Sequence, residues 1–145
     1  MRFRSLLVVL AVGALAAGCG EDQGFINDYN EATKPLQALA DDINSAVGGA
    51  TTKDSAVIAK EFRRLANATK KTNDRLDKLD APDDAKADFA KLKAALRKGE
   101  ADLREVANAA KAGDALEAGG AVGKLAEDGR AISAAENAVA AKVED

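Results

Sequence analysis

Between Ile58 and Leu79 the chain sets apolar or threonine side chains at alternating steps of four and three: Ile58, Phe62, Leu65, Thr69, Thr72, Leu76 and Leu79. On a helix of 3.6 residues per turn these positions form one stripe, whereas on a strand they would scatter over both faces. So narrow a stripe is the seam of a helix that buries itself against other helices. Two threonines at its centre make this seam less apolar than the others. Stop signals bracket it, with Gly48-Gly49 before and Asp80-Ala81-Pro82 after.

The rest of the chain fits the same plan. A first helix is expected over about 25–47, with Phe25, Tyr29, Leu36, Leu39 and Ile43 on one face. Pro35 falls inside it, at a cost of about 3 kcal/mol in a helix interior. The apolar register continues past Pro35, so one kinked helix is expected rather than two pieces. The second helix covers about 54–79. Pro82 and the acids around it suit the start of a third helix, which runs to about Ala112 through Phe89, Leu92, Leu96, Leu103 and Val106, with Gly99 in one seam position. Gly113-Asp114 reads as a stop and a new cap. A fourth helix, about 115–143, repeats Leu125, Ile132 and Val139 every seven residues. Gly119, Gly120, Gly123 and Gly129 weaken it, and close helix packing is their expected use. Few aromatics and only two prolines agree with helix throughout. The expected fold is all-α: an antiparallel up-down four-helix bundle over residues 25–145, forming one domain.

Absent residue types remove whole classes of chemistry. The chain has no histidine and no tryptophan, and its one cysteine is Cys19. Without histidine there is no Ser-His-Asp or Cys-His catalysis, no Glu-x-x-His di-iron motif and no ordinary zinc site. No serine begins a Ser-x-x-Lys motif, and the glycines at 119–123 lack the lysine and strand context of a phosphate loop. Asp77, Asp80, Asp83 and Asp84 do not have EF-hand spacing, and helix capping is the simpler reading. A non-enzymatic protein with no metal and no cofactor is expected.

Residues 1–18 differ in character. Arg2 and Arg4 precede an apolar run from Leu6 to Ala17 that ends in small residues, the plan of a secretory signal peptide. The run is short of the roughly 20 residues that a spanning helix needs. Ala16-Ala17-Gly18-Cys19 resembles the lipobox of bacterial lipoproteins, with Leu15 one position early and Ala16 where leucine is usual. The resemblance implies cleavage between Gly18 and Cys19, a diacylglyceryl group on the Cys19 sulfur, and acylation of the new amino terminus by a palmitate-type chain. The protein would then sit lipid-anchored on the extracytoplasmic face of the cell membrane, with residues 19–24 as a short tether. The mature chain, with its Leu79-Asp80-Ala81-Pro82 turn, also resembles small alanine-rich helical-bundle lipoproteins of high-GC bacteria. That resemblance carries no activity.

Charge is unevenly spread. The whole chain carries −3; cutting before Cys19 removes Arg2 and Arg4 and no acid, leaving −5. Such an acidic domain is a poor nucleic-acid ligand. Residues 55–79 nevertheless carry a local +4. Lys60, Arg64, Lys71, Arg75 and Lys78 fall on one helical face and are the candidate anionic-surface residues. They would meet lipid headgroups or an anionic polymer of the cell envelope, although a plain solvated face paired with acids on the first helix is the simpler reading. The expected function is binding or scaffolding at the envelope, with another envelope protein or an anionic polymer as the candidate partner. The alternative is a ligand-binding module for a small envelope molecule. A pocket between helices would favour the ligand module, a dry alanine-packed core the scaffold, and a buried carboxylate pair an enzyme.

Overall fold

The computed structural model describes residues 22–143. Their regular structure is entirely helical: α1 (Asp22–Thr33), α2 (Pro35–Gly49), a 3-10 turn (Ala50–Thr52), α3 (Ser55–Leu76), α4 (Lys86–Ala112) and α5 (Ala115–Val143). No helix among them is long and apolar enough to cross a membrane.

Helices α1 and α2 form a single arm, so the bundle has four. Lys34 keeps helical angles (φ −44°, ψ −37°), and its N–H donates to the Asn30 carbonyl at 2.9 Å. Pro35 removes one ladder bond without ending the helix, as the continuous apolar register required. Two boundaries differ from expectation. Asp22, Gln23 and Gly24 form the first turn of α1 rather than part of a tether. Gly48 and Gly49 stay helical, and the arm ends instead in the 3-10 turn, where the Thr52 hydroxyl donates to the Gly49 carbonyl at 3.0 Å. A glycine weakens a helix without forbidding it.

On α3 the expected seam is the buried face. Phe62, Leu65, Thr69, Thr72 and Leu76 are all buried, with Ile58 and Leu79 packed at its ends. The Thr69 hydroxyl is satisfied within the helix by the Leu65 carbonyl at 3.0 Å. The following turn winds on Pro82, whose carbonyl accepts from the Ala85 and Lys86 N–H groups at 3.0 and 2.9 Å. The neighbouring acids do not cap α4 as expected, because Ala85 occupies the cap position. Asp77 instead reaches across to Arg97 at 2.9 Å, and Asp83 pairs with Lys86 at 2.6 Å.

Gly113 stops α4 in the left-handed region (φ 77°). The Asp114 N–H donates to the Ala109 carbonyl at 2.9 Å, and the Gly113 N–H to that of Ala110 at 3.1 Å, which closes a Schellman turn. Asp114 then caps α5 by accepting the Glu117 N–H at 2.9 Å.

Cross-helix pairs give the direction of two interfaces. Asn67 meets Arg104 while Asp77 meets Arg97, and Glu105 meets Lys124 while Lys98 meets Asp128. Residue order is therefore opposed in both α3/α4 and α4/α5. These mostly exposed contacts contribute little, about 0–1 kcal/mol each. Stability comes from Phe62, Leu65, Leu76, Leu92, Leu96, Leu103, Val106 and Val139, all essentially inaccessible to solvent; each contributes roughly 1.5–3 kcal/mol. Phe25, Tyr29 and Phe89 form an aromatic knot, with ring centroids 5.5–6.2 Å apart, that pins α1 to the start of α4.

The α5 glycines do not serve close packing. A Cβ placed on Gly119, Gly120, Gly123 or Gly129 would meet no neighbouring atom within 4 Å. Leu116 is 89% exposed, so the first turns of α5 project beyond the core.

Candidate functional site

Helices α3 and α5 each pack along α4, while the α1–α2 arm leans on α3. Between α2, α4 and α5 this leaves a partly open cleft of about 150 Å³. Its walls are apolar: Leu39 and Ile43 from α2, Leu96 and Leu103 from α4, and Leu125 and Ile132 from α5. Small residues at facing positions make the room. Gly99 holds a seam position of α4, and Ala40, Ala126 and Gly129 line the cleft beside it. Packing does not force glycine at 99, since a Cβ there would stand 3.7 Å from Ile132 Cδ1 and 3.9 Å from Asp128 Cβ, ordinary contact distances.

One edge of the cleft is polar. Asp128 is only 4% exposed and Asp102 7%. Lys98 extends its ammonium between them, 2.5 Å from Asp128 Oδ1 and 3.2 Å from Asp102 Oδ2. Burial raises the Asp128 carboxyl above its ordinary range, and the Lys98 ammonium pulls the other way. The buried carboxylate pair is therefore present, but it is closed on a lysine. What remains free is Asp128 Oδ2, which has no hydrogen-bond partner among the described residues. Ser133 Oγ, a further lining atom, is buried and likewise unpartnered. Farther along α5, Glu136 is pushed up to about 7 by burial. It faces Tyr29, whose hydroxyl is raised by its own burial and then by the Glu136 charge.

The cleft can hold an apolar body. It presents no paired nucleophile and base of the kind covalent catalysis uses. Among the described residues, no group of three or more acidic, histidine or cysteine side chains is arranged to hold a metal ion.

All five residues of the expected basic face are exposed. Lys60, Arg64 and Lys71 line a shallow groove with Arg63 and Lys111, and no carboxylate lines it. Arg64 also pairs with Asp42 at 3.1 Å. Arg75, one helical turn beyond Lys71, and Lys78 do not line it. At 1.5 Å per helical residue, Lys60 and Arg75 are about 22 Å apart along the axis. The groove runs along α3 from Ala56 to Lys71 and is joined by Lys111 near the end of α4. Gly18 and Cys19, the expected cleavage and lipidation residues, lie outside the described residues.

The sequence reading missed the cleft, Asp102, Asp128, Ser133, Arg63 and Lys111. One signal was available: Leu125, Asp128, Ile132, Ala135 and Val139 step by three and four, which puts a carboxylate into the seam of α5. Lys111 reaches the groove through the fold alone. No family model, curated protein or solved structure matches this chain.

Proposed function

We propose that the protein is a binding module, held at the extracytoplasmic face of the cell membrane by a lipid on Cys19, that takes up a small apolar molecule between α2, α4 and α5. The cleft carries this reading. A molecule seated there covers Leu39, Ile43, Leu103 and Ile132, at about 25 cal/mol per Å² of apolar surface removed from water, and about 150 Å³ suits a molecule the size of benzene. The anchor rests on Arg2, Arg4, the apolar run and Ala16-Ala17-Gly18-Cys19. Binding is the whole of the assigned activity; no reaction is assigned to the Lys98, Asp102 and Asp128 group.

Toluene tests the reading. It should raise the unfolding temperature of the protein, because a ligand at 100 times its Kd adds about 2.7 kcal/mol to stability. Gly129→Leu, which adds bulk beside the cleft where no atom lies within 4 Å of the new Cβ, should remove that response. A wild-type protein indifferent to toluene would overturn the proposal.

The carboxylate-free groove supports a second reading, in which Lys60, Arg63, Lys71 and Lys111 hold an anionic envelope polymer. An anchor near Asp22 leaves this groove well beyond the screening length of about 8 Å from the anchoring membrane. A polymer suits it better than the headgroups of that membrane.

A further inference from the structure

The cations of the α3 groove stand in two rows. At 3.6 residues per turn, Lys60, Arg64 and Lys71 fall within about 40° of one another around α3, and Arg63 is turned about 60° away from Lys60. Contacts orient the rows. Arg64 reaches α2 through Asp42, and Asn67, turned the same way as Arg63, accepts from Arg104 of α4. Lys60, Arg64 and Lys71 therefore flank the groove on the side of α2, and Arg63 and Lys111 on the side of α4. Between the rows lie the short side chains of Ala56 and Asn67. Acids on these two helices are engaged elsewhere: Glu61 by Lys53, Asp74 by Lys70, Glu100 by Arg104 and Glu105 by Lys124. Like charges three and four residues apart on a helix repel, so an anion entering the groove relieves them.

We infer, resting on the polymer reading of this groove, that its occupant is a linear polymer with phosphate in its backbone and small linkers, laid lengthwise along α3. The cations extend over about 16 Å of helix axis from Lys60 to Lys71, farther than one phosphate can bridge, so a chain of charges fits them and a single anion does not. A backbone phosphate carries its charge on the strand itself and presents a free oxygen to each side, which lets one strand accept from both rows at once. A polymer of pendant carboxylates turns each charge to one side and satisfies one row. The linkers are small because the strand runs over Ala56 and Asn67, and no aromatic side chain lines the groove to stack a base as single-stranded nucleic acid requires.

Orthophosphate, tripolyphosphate, long-chain polyphosphate and poly-L-glutamate, titrated into the full chain over a range of salt, test this. Affinity should rise along the phosphate series, and long-chain polyphosphate should bind on the order of tenfold more tightly than poly-L-glutamate. The slope of log K against log salt should be about −3, as for four charges neutralised on a single strand. Arg63→Gln and Lys111→Gln, which thin one row, should each reduce that slope by about 0.7 and shrink the preference for polyphosphate. Arg75→Gln, outside the groove, should change neither. Equal affinity for long-chain polyphosphate and poly-L-glutamate, or for orthophosphate and the long chain, would overturn this inference and leave an anion-binding groove. A slope that Arg63→Gln and Lys111→Gln leave unchanged, or binding to phosphatidylglycerol vesicles without binding to polyphosphate, would overturn the polymer reading as well.

Discussion

Glu136 should make this bundle less stable as pH rises, which is opposite to the usual effect of a well-paired carboxylate. Its carboxyl is raised by burial from an ordinary 4.5 to about 7 in the folded protein. Between those values the folded chain keeps a proton that the unfolded chain has lost, so raising the pH favours unfolding. Each pKa unit is worth 1.36 kcal/mol, so the shift corresponds to about 3 kcal/mol, lost progressively between pH 4.5 and 7 and constant above. Tyr29, which faces Glu136, is raised and stays neutral throughout this window. Asp128 is raised as well and adds a slope of the same sign, so the variant must be compared with wild type at every pH. Glu136→Gln keeps the shape and removes the charge. Denaturant titrations followed by circular dichroism should give equal stabilities near pH 4.5, and the variant should be ahead by about 3 kcal/mol at pH 8. Identical pH slopes in the two proteins, or a variant less stable at pH 8, would refute the reasoning and mean that Glu136 finds a partner or water in solution.

Gly119→Ala with Gly120→Ala should stabilise the protein by about 2 kcal/mol, since both new Cβ atoms enter open space; calorimetry showing a loss of stability would mean that a contact exists there. Hydrogen exchange should find the amides of 116–123 the least protected in α5, because Leu116 is 89% exposed and the first turns carry little buried area. Cys19→Ser should leave the protein uncleaved or release it from membranes, and mass spectrometry finding an unmodified mature amino terminus at another residue would remove the anchor from the account. Reversing Lys60, Arg63, Lys71 and Lys111 to glutamate should abolish salt-sensitive binding to polyphosphate, whereas binding unchanged at low salt would leave the groove as an ordinary solvated surface.

The helices were legible because local rules fix them. The four-and-three spacing from Ile58 to Leu79 is buried as read, and Gly113-Asp114 closes α4 and caps α5. The register across Pro35 outweighed one missing hydrogen bond, as Lys34 shows. The cleft was not legible, because it depends on how far the α1–α2 arm stands from α5, which no single helix determines. Its small residues were visible in the sequence, but glycine at a seam position signals either close packing or empty space. At Gly129 a Cβ would enter open space, and at Gly99 it would make ordinary contact with Ile132 and Asp128. Lys98 and Asp128 lie 30 residues apart and meet only once α4 and α5 are side by side. The basic face is exposed as read, but helical periodicity does not say that Lys111 of α4 joins Lys60, Arg64 and Lys71 in one groove.

The central claim is that a small apolar molecule enters between α2, α4 and α5. Nuclear Overhauser contacts between toluene protons and the methyl groups of the full chain test it most directly. The account predicts contacts to Ile43, Leu103, Leu125 and Ile132, whose side chains line the cleft. Contacts confined to the exposed methyls of Val57 and Leu116, with none to Leu103 or Ile132, would contradict it.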